Sequence, residues 1–332
     1  MEATVTAQIP TLKTGLLMPE SVRLSPGIEE DSSTPSYESA RRYVLESLHR
    51  ANHGDIPDIA TAEVVLIRLV KSMATGNELL LRATERDQDF SVSTHSVNVA
   101  IIAMQIAFKL NYPLEKFIDV GMAALLHELG VVELPEELLH KSGKFTSEEL
   151  TMVQGRTHHS TRILEGIKGA NRLAQIVGQV YEREDGSGWP EGLRKKEISE
   201  EARVLGIADF FEAFIHPRPY RRARTGYQCL RTLTLRQKGN FSPKIVKALI
   251  SSFSMYPYNE LVRLNTQQVG KVLNIHPENS CRPLVTILSD SKGTKLKVPR
   301  LVDLREWPNL FITESLDHAD WEENGTGELP EF

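Results

Sequence analysis

The hydrophobic positions follow a helical period over most of the chain and a β-like one near its end. Apolar residues recur at helical spacing from Tyr37 to about Ala51. They do so again from Ile59 to about Thr84, through Val64, Leu66, Ile67, Val70 and Met73. This predicts two helices, broken apart at Gly54 and Pro57. His95 to Leu110 and Ile118 to Leu126 are apolar nearly all round, and helices of that kind are buried rather than amphipathic. Thr146-Ser147-Glu148-Glu149 forms a capping box ahead of a helix through Leu150 and Met152. Ser160 to Ile167, Arg172 to Tyr181 and Glu200 to Phe214 read as further helix, with a glycine-punctuated loop from Glu184 to Arg194. Ser242-Pro243 supplies an N-cap and a first-turn proline for a helix with the face Ile245, Leu249 and Phe253. Beyond Tyr256-Pro257 the runs shorten. Lys271 to Ile275, Leu284 to Leu288 and Lys295 to Val298 are rich in β-branched residues, with a turn at Asp290 to Gly293.

The expected organisation is therefore a loosely ordered arm (1–36), an N-terminal helical region (37–86), a helical domain (87–262), a small β extension (263–316) and a disordered acidic tail (317–332). The fold class is all-α, with the β extension at its C-terminal end. At 332 residues, 40% hydrophobic and 25% charged, the chain has the make-up of a soluble globular protein with a real core. Its net charge of -5 argues against a general nucleic-acid binder. Cys229 and Cys281 make no zinc-ribbon spacing and imply no disulfide framework. The apolar run Val97 to Leu110 is interrupted by polar residues and too short for a membrane span, and no basic-then-apolar leader opens the chain. A cytoplasmic location is the expectation.

The chemically odd residues lie in the all-apolar helices. His127-Glu128 ends one buried run, His95 opens another, and Asp209 sits inside Val204 to Phe211. A buried carboxylate costs several kcal/mol unless it is paired or metal-bound. Imidazole and carboxylate suit Mn, Fe or Zn. On these residues alone a metal-free core network is the stronger alternative, because separated His and Asp are weak signals.

Their order and context carry more. "THSVNVAIIAMQIAFKL", "AALLHELGVVELPEELLHKSGKFTSEE", "EREDGSGWPEGL" and "EARVLGIADFFEAFIHPRPYRRA" follow one another at the right spacing. Over roughly residues 87 to 262 the chain resembles the HD metal-dependent phosphohydrolase superfamily, in its bacterial HD-GYP, cyclic di-GMP phosphodiesterase branch. "VLNIHPENSCRPLVTILSDSKGTKL" is similar to the short β extension that many such domains carry. The resemblance implies an HD-GYP-type helical bundle and a metal set of His95, His127, Glu128 and Asp209.

The chain departs from that pattern at several points. Glu128 stands where the branch has Asp, and its extra methylene moves the carboxylate by more than the roughly 0.5 Å a catalytic constellation tolerates. Val131 replaces a lysine. In an ungapped register the next metal histidine falls on Arg156, which stays protonated and cannot ligate, while His158 and His159 lie nearby. The branch's pair of histidines before the glutamate of the glycine loop falls on Val180 and Tyr181, and the tyrosine of the Gly-Tyr-Pro motif is Trp189. One divalent ion or none is the expectation. Arg218 and Arg221, in a proline-constrained turn expected at the surface, are similar in placement to residues that contact ligand phosphates, and Trp189 could stack on a purine. The alternative is a solvated basic turn, or arginines answering Glu182, Glu184 and Asp185.

Three functions follow. The first is a degenerate, non-catalytic HD-GYP protein in cyclic di-GMP signalling, a nucleotide sensor or a module that docks a signalling partner. The second is a single-metal phosphohydrolase. The third is an interaction scaffold.

Overall fold

The computed structural model describes residues 33–85, 91–139, 141, 143–218, 222–235, 237–276 and 278–316. Ten helices that bear on the architecture run in chain order: α1 (Ser33–Asn52), α2 (Ile59–Thr75), α3 (Glu78–Ala83), α4 (Val92–Lys109), α5 (Leu114–Leu126), α6 (Glu136–Leu139), α7 (Ser147–Glu165), α8 (Asn171–Gly178), α9 (Glu200–Ile215) and α10 (Gly226–Leu235). An eleventh, α11 (Pro243–Phe253), closes the bundle. The single helix expected over 59–84 is two. Gly76 is fully extended, and α3 restarts after Asn77. Conversely, the runs around Leu150 and Ser160 are one continuous helix, α7, started by the Thr146–Glu149 capping box. Ser242 precedes α11 with Pro243 at its first turn, but its side chain makes no capping bond.

Helix α4 lies at the centre and packs against α1, α3, α5, α9 and α11. That is why it is apolar all round: Ser96 to Met104 are all buried, as are Val120 to Val131 and Val204 to Asp209. Each large apolar side chain buried there contributes about 1.5–3 kcal/mol. The carboxylates and imidazoles in these stretches must therefore find partners inside the protein.

Five antiparallel strands follow: β1 (Leu261–Leu264), β2 (Val269–Asn274), β3 (Leu284–Ser289), β4 (Lys295–Asp303) and β5 (Ile312–Leu316), in the order β4-β3-β2-β1-β5. Strands β1 and β5 were not expected; runs of four and five residues carry too little alternation to stand out. The sheet has its own small core of Val262, Leu264, Val272, Val285 and Ile287. It is clasped to the helices by Glu260, whose carboxylate accepts the Gly226 and Tyr227 N–H groups at 3.2 Å each, at the start of α10. Tyr227 also stacks on Tyr256 with ring centroids 5.1 Å apart. Residues 33–36, expected in the arm, form the first turn of α1. The rest of that arm and the tail from 317 lie outside the described residues. No described helix is long and apolar enough to cross a membrane.

Candidate metal centre

Three of the buried helices bring their odd residues to one point. His95 sits in the first turn of α4, whose start is fixed by Ser91 Oγ accepting the Thr94 N–H at 3.1 Å. His127 and Glu128 follow the last residue of α5, and Asp209 lies within α9. One potential ligand atom from each of these four buried residues lies within 4.8 Å of the others. His95 Nε2 is 3.1 Å from Asp209 Oδ1 and 3.9 Å from Glu128 Oε1. His127 Nε2 is 3.5 Å and 3.8 Å from the same two oxygens.

The imidazoles are oriented from behind. His127 Nδ1 is 2.7 Å from the Ala124 carbonyl and donates to it, which turns Nε2 towards the cluster. That Nε2 is buried and has no hydrogen-bond partner. Facing two carboxylate oxygens at 3.5 Å and 3.8 Å, that nitrogen can be matched by a proton of its own or by a metal cation between them. His95 Nδ1 lies 2.5 Å from Glu212 Oε2, and Arg218 Nη2 donates to the same oxygen at 2.7 Å. Carboxylate-backed histidines of this kind are typical of metal ligands. The residues present thus fit one divalent ion.

Glu212 was not singled out in the sequence, although the signal was there. It is an acid three residues after Asp209 in the same apolar helix, and its side chain is only 2% exposed. Arg218 is placed otherwise than expected. Its side chain is 7% exposed and ion-paired with Glu212, rather than lying free in a surface turn. Nor does it answer the loop acids. Glu184 pairs with Arg203, Glu182 accepts the N–H groups of Glu191 and Leu193, and Asp185 accepts from Ser187. Arg221 lies outside the described residues.

The Glu128 side of the cluster differs in kind. Arg156 Nε donates to Glu128 Oε2 at 2.9 Å, and its Nη2 lies 3.3 Å from Oε1. The same Nη2 donates to the Tyr181 hydroxyl at 2.6 Å, which in turn donates to Glu128 Oε1 at 3.2 Å. The backbone dictates this placement. A Cβ on Gly130 would stand 2.0 Å from the Arg156 carbonyl oxygen, so only glycine lets α7 approach so closely. Ser160 then bridges the segments, accepting from Gly130 N–H and donating to the His127 carbonyl. His158 is exposed, and His159 pairs with Glu133 at 2.8 Å; neither joins the cluster. Trp189 stacks on Tyr181, with centroids 4.9 Å apart and planes 10° off parallel, so one indole face is already covered. Gly188 lets the loop fold back, since a Cβ there would meet the Tyr181 carbonyl oxygen at 2.5 Å.

Charge follows geometry. Burial disfavours a charged His95, but Glu212 and Asp209 outweigh it and push its pKa up to about 9. Burial likewise opposes ionised Asp209, yet the two imidazoles hold it well below the carboxylate range. Arg156 lowers Glu128 against the same opposition. A cavity of about 670 Å³ opens nearby, lined by Tyr37, Arg41, Arg82, Ser91 and Thr94 rather than by the cluster. Tyr37 links the two, donating at 2.6 Å to Asn98, whose amide is 3.4 Å from Glu212 Oε1.

Comparison with known proteins bears on this geometry. The family model described as an HD domain matches residues 70–245, more than half of the chain. The chain belongs to the HD domain family. A KOW domain associated with HD domain matches residues 261–324, the segment that contains the sheet. The chain is similar to the cyclic di-GMP phosphodiesterase PA4108 of Pseudomonas aeruginosa, at 28% identity over 80% of this chain and 64% of the relative. It is also similar to the cyclic di-GMP phosphodiesterase response regulator RpfG of Xanthomonas campestris, at 33% identity over 52% of this chain and 46% of that one. The chain thus spans between about half and two thirds of these relatives' lengths. Among solved structures, Bd1817, a HDG"Y"P protein from Bdellovibrio bacteriovorus, shares the fold, with a TM-score of 0.55 and 17% identity. That match covers 68% of this chain and 73% of the other.

Proposed function

We propose that this HD domain holds one divalent ion, Fe, Mn or Zn, with His95, His127, Asp209 and Glu128, and serves cyclic di-GMP signalling as a nucleotide sensor or partner-docking module. On this reading it is not an efficient phosphodiesterase. The cyclic nucleotide comes from the relatives, named as phosphodiesterases of cyclic di-GMP. The observation that carries the non-catalytic part is the Arg156 guanidinium bonded to Glu128. A guanidinium keeps its proton and offers no lone pair, so it stabilises Glu128 but cannot add a second metal site. A bound divalent ion would supply Lewis-acid polarisation of a phosphoryl oxygen, and in-line phosphodiester chemistry with two such ions gains more.

The chain's own residues then have distinct tasks. Glu212 and Arg218 hold the His95 ring with Nε2 towards Asp209. Ala124 fixes the His127 tautomer. With Arg218 committed to Glu212, the phosphate contact falls to Arg221, and Trp189 offers a base only the ring face that Tyr181 leaves uncovered. The test uses protein purified without chelator. Elemental analysis should find at most one divalent ion per chain, and calorimetry should detect cyclic di-GMP binding. Hydrolysis with added Mn or Fe should stay far below the ordinary enzyme range of about 1 s⁻¹ or more. Two stoichiometric metals, or a turnover in that range, would overturn the proposal.

The unpartnered His127 Nε2 also favours a second reading, a single-metal phosphohydrolase on another phosphorylated substrate. Metal-dependent release of phosphate from a panel of nucleotides and phosphomonoesters separates it from the first.

A further inference from the structure

We infer that Arg156 is a built-in cation that competes with a divalent ion for Glu128 and so weakens metal binding on that side of the centre. The inference rests on the reading that the cluster takes a divalent ion. It goes beyond that reading by assigning Arg156 and Tyr181 a role in setting the affinity.

Glu128 Oε1, the oxygen that faces both imidazoles, is also the one that accepts the Tyr181 hydroxyl and lies 3.3 Å from Arg156 Nη2. Its Oε2 takes Arg156 Nε at 2.9 Å. For Glu128 to give a lone pair to a metal, it must loosen charge-assisted hydrogen bonds, which are among the stronger ones in proteins. The guanidinium is poorly placed to move aside. Its Nη1 donates to the Val153 carbonyl at 2.8 Å, its Cζ lies 5.0 Å from the centre of the Tyr181 ring, and Trp189 stacks on that ring. The Gly130 close approach and the Ser160 bridges pin the backbone of α7 to the residues around Glu128. A divalent ion entering the cluster therefore meets a fixed positive charge in a buried, weakly screened setting. Asp209 contrasts with this: its Oδ1 faces both imidazoles, and among the described residues no guanidinium bonds to it.

The test titrates Mn²⁺ or Zn²⁺ alone into the full-length chain after chelator stripping, by calorimetry and by competition with a chromogenic chelator. Arg156→Gln removes the charge and keeps an amide donor. It should raise the affinity at least about tenfold, or about 1.4 kcal/mol. Arg156→Lys keeps the charge and should stay within about threefold of wild type. Tyr181→Phe removes only the neutral donor to Oε1 and should raise affinity by about threefold, a readout that stands if Arg156→Gln fails to fold. A wild-type chain that binds neither metal at millimolar concentration sinks the underlying reading. A wild-type chain that binds one ion, with folded Arg156→Gln no tighter, overturns this inference alone. Equal tightening by Gln and Lys overturns it too, because packing rather than charge would then be responsible. An unchanged Tyr181→Phe would likewise count against it.

Discussion

The two sides of the cluster solve the same electrostatic problem in opposite ways. On the α4–α9 side, His95 and Asp209 meet at 3.1 Å, with Glu212 and Arg218 behind them. Every supporting group there acts on the far side of the His95 ring, so between Nε2 and Asp209 Oδ1 stands only an exchangeable proton, which a cation could displace. On the α5–α7 side, Glu128 meets a cation that belongs to the chain, Arg156. The first side is poised for something added; the second is satisfied as it stands. The difference teaches that burial of ligand-type residues does not by itself define a metal site. What decides is whether their lone pairs are already spent, and His127 Nε2, without a partner, marks where they are not.

Removing one partner from the self-satisfied side should have the largest effect. Glu128→Gln leaves Arg156 charged, buried and unpaired, and breaking a buried pair in this way costs about 3–5 kcal/mol. The double variant Glu128→Gln/Arg156→Gln leaves no orphan charge and should recover most of the loss. Urea unfolding of all four corners of the cycle measures the coupling. A single-variant cost below about 1 kcal/mol, in the range of an exposed ion pair, would show that the two sides are not distinct.

The α4–α9 side should respond to pH. His95 is raised from 6.5 to about 9 in the folded chain. A raised pKa means its contribution is fully present below the unfolded value and lost as pH climbs through the folded one. Metal-free protein should therefore lose roughly 3 kcal/mol of stability between about pH 6.5 and 9.5, because each tenfold gain in proton affinity on folding is worth about 1.36 kcal/mol. Asp209, Glu128 and Glu212 are all lowered, so their contributions fade in the opposite direction, as acid protonates them. Metal affinity has the reverse slope. An ion must displace the proton on His95 Nε2, so binding should tighten by about tenfold per pH unit up to about 9. A flat affinity profile would mean that His95 is not a ligand.

The sequence was most legible where burial was complete. Helices α4, α5 and α9 announced themselves as all-apolar runs, and the four cluster residues stood out because they interrupt them. The α7 start was legible for a local reason: a capping box is four residues long and needs nothing from elsewhere. What escaped was pairing across the fold. Arg218 looked like a member of a basic surface turn because Glu212, although only six residues earlier, is buried by the packing of α9 against α4, which the local sequence does not show. Tyr181 was visible only as a missing histidine, and its bonds to Arg156 and Glu128 depend on how closely α7 approaches Gly130.

The comparison sharpens if the support behind His95 is loosened without touching a ligand-type residue. Glu212→Gln keeps the shape but weakens the grip on Nδ1. Loss of an outer partner of this kind usually costs 10–100-fold in metal affinity, about 1.4–2.8 kcal/mol. The corresponding loss should not appear in Arg156→Lys, on the other side. Chelator competition reads both, and equal losses would mean that Arg156 supports the ion rather than opposing it.

The smallest expected effect lies just outside the cluster and tests its boundary. His159 is three residues from Arg156 on α7, close enough in sequence to stand in for a ligand. Its Nδ1 instead lies 2.8 Å from Glu133 Oε2, and Glu133 is also paired with Arg162. Both members of the His159–Glu133 pair are partly exposed, so the interaction is screened and worth little. Glu133 keeps Arg162 if the imidazole is removed, so no buried charge is orphaned. His159→Ala should therefore shift stability by no more than about 0.5 kcal/mol, the range of ordinary surface substitutions. Metal content and the pH slope of affinity should stay at wild-type values, since neither His95 nor His127 touches this pair. A loss of bound metal in His159→Ala would move the boundary of the site. The ring would then have to leave Glu133 when an ion binds, and α7 would supply a ligand after all.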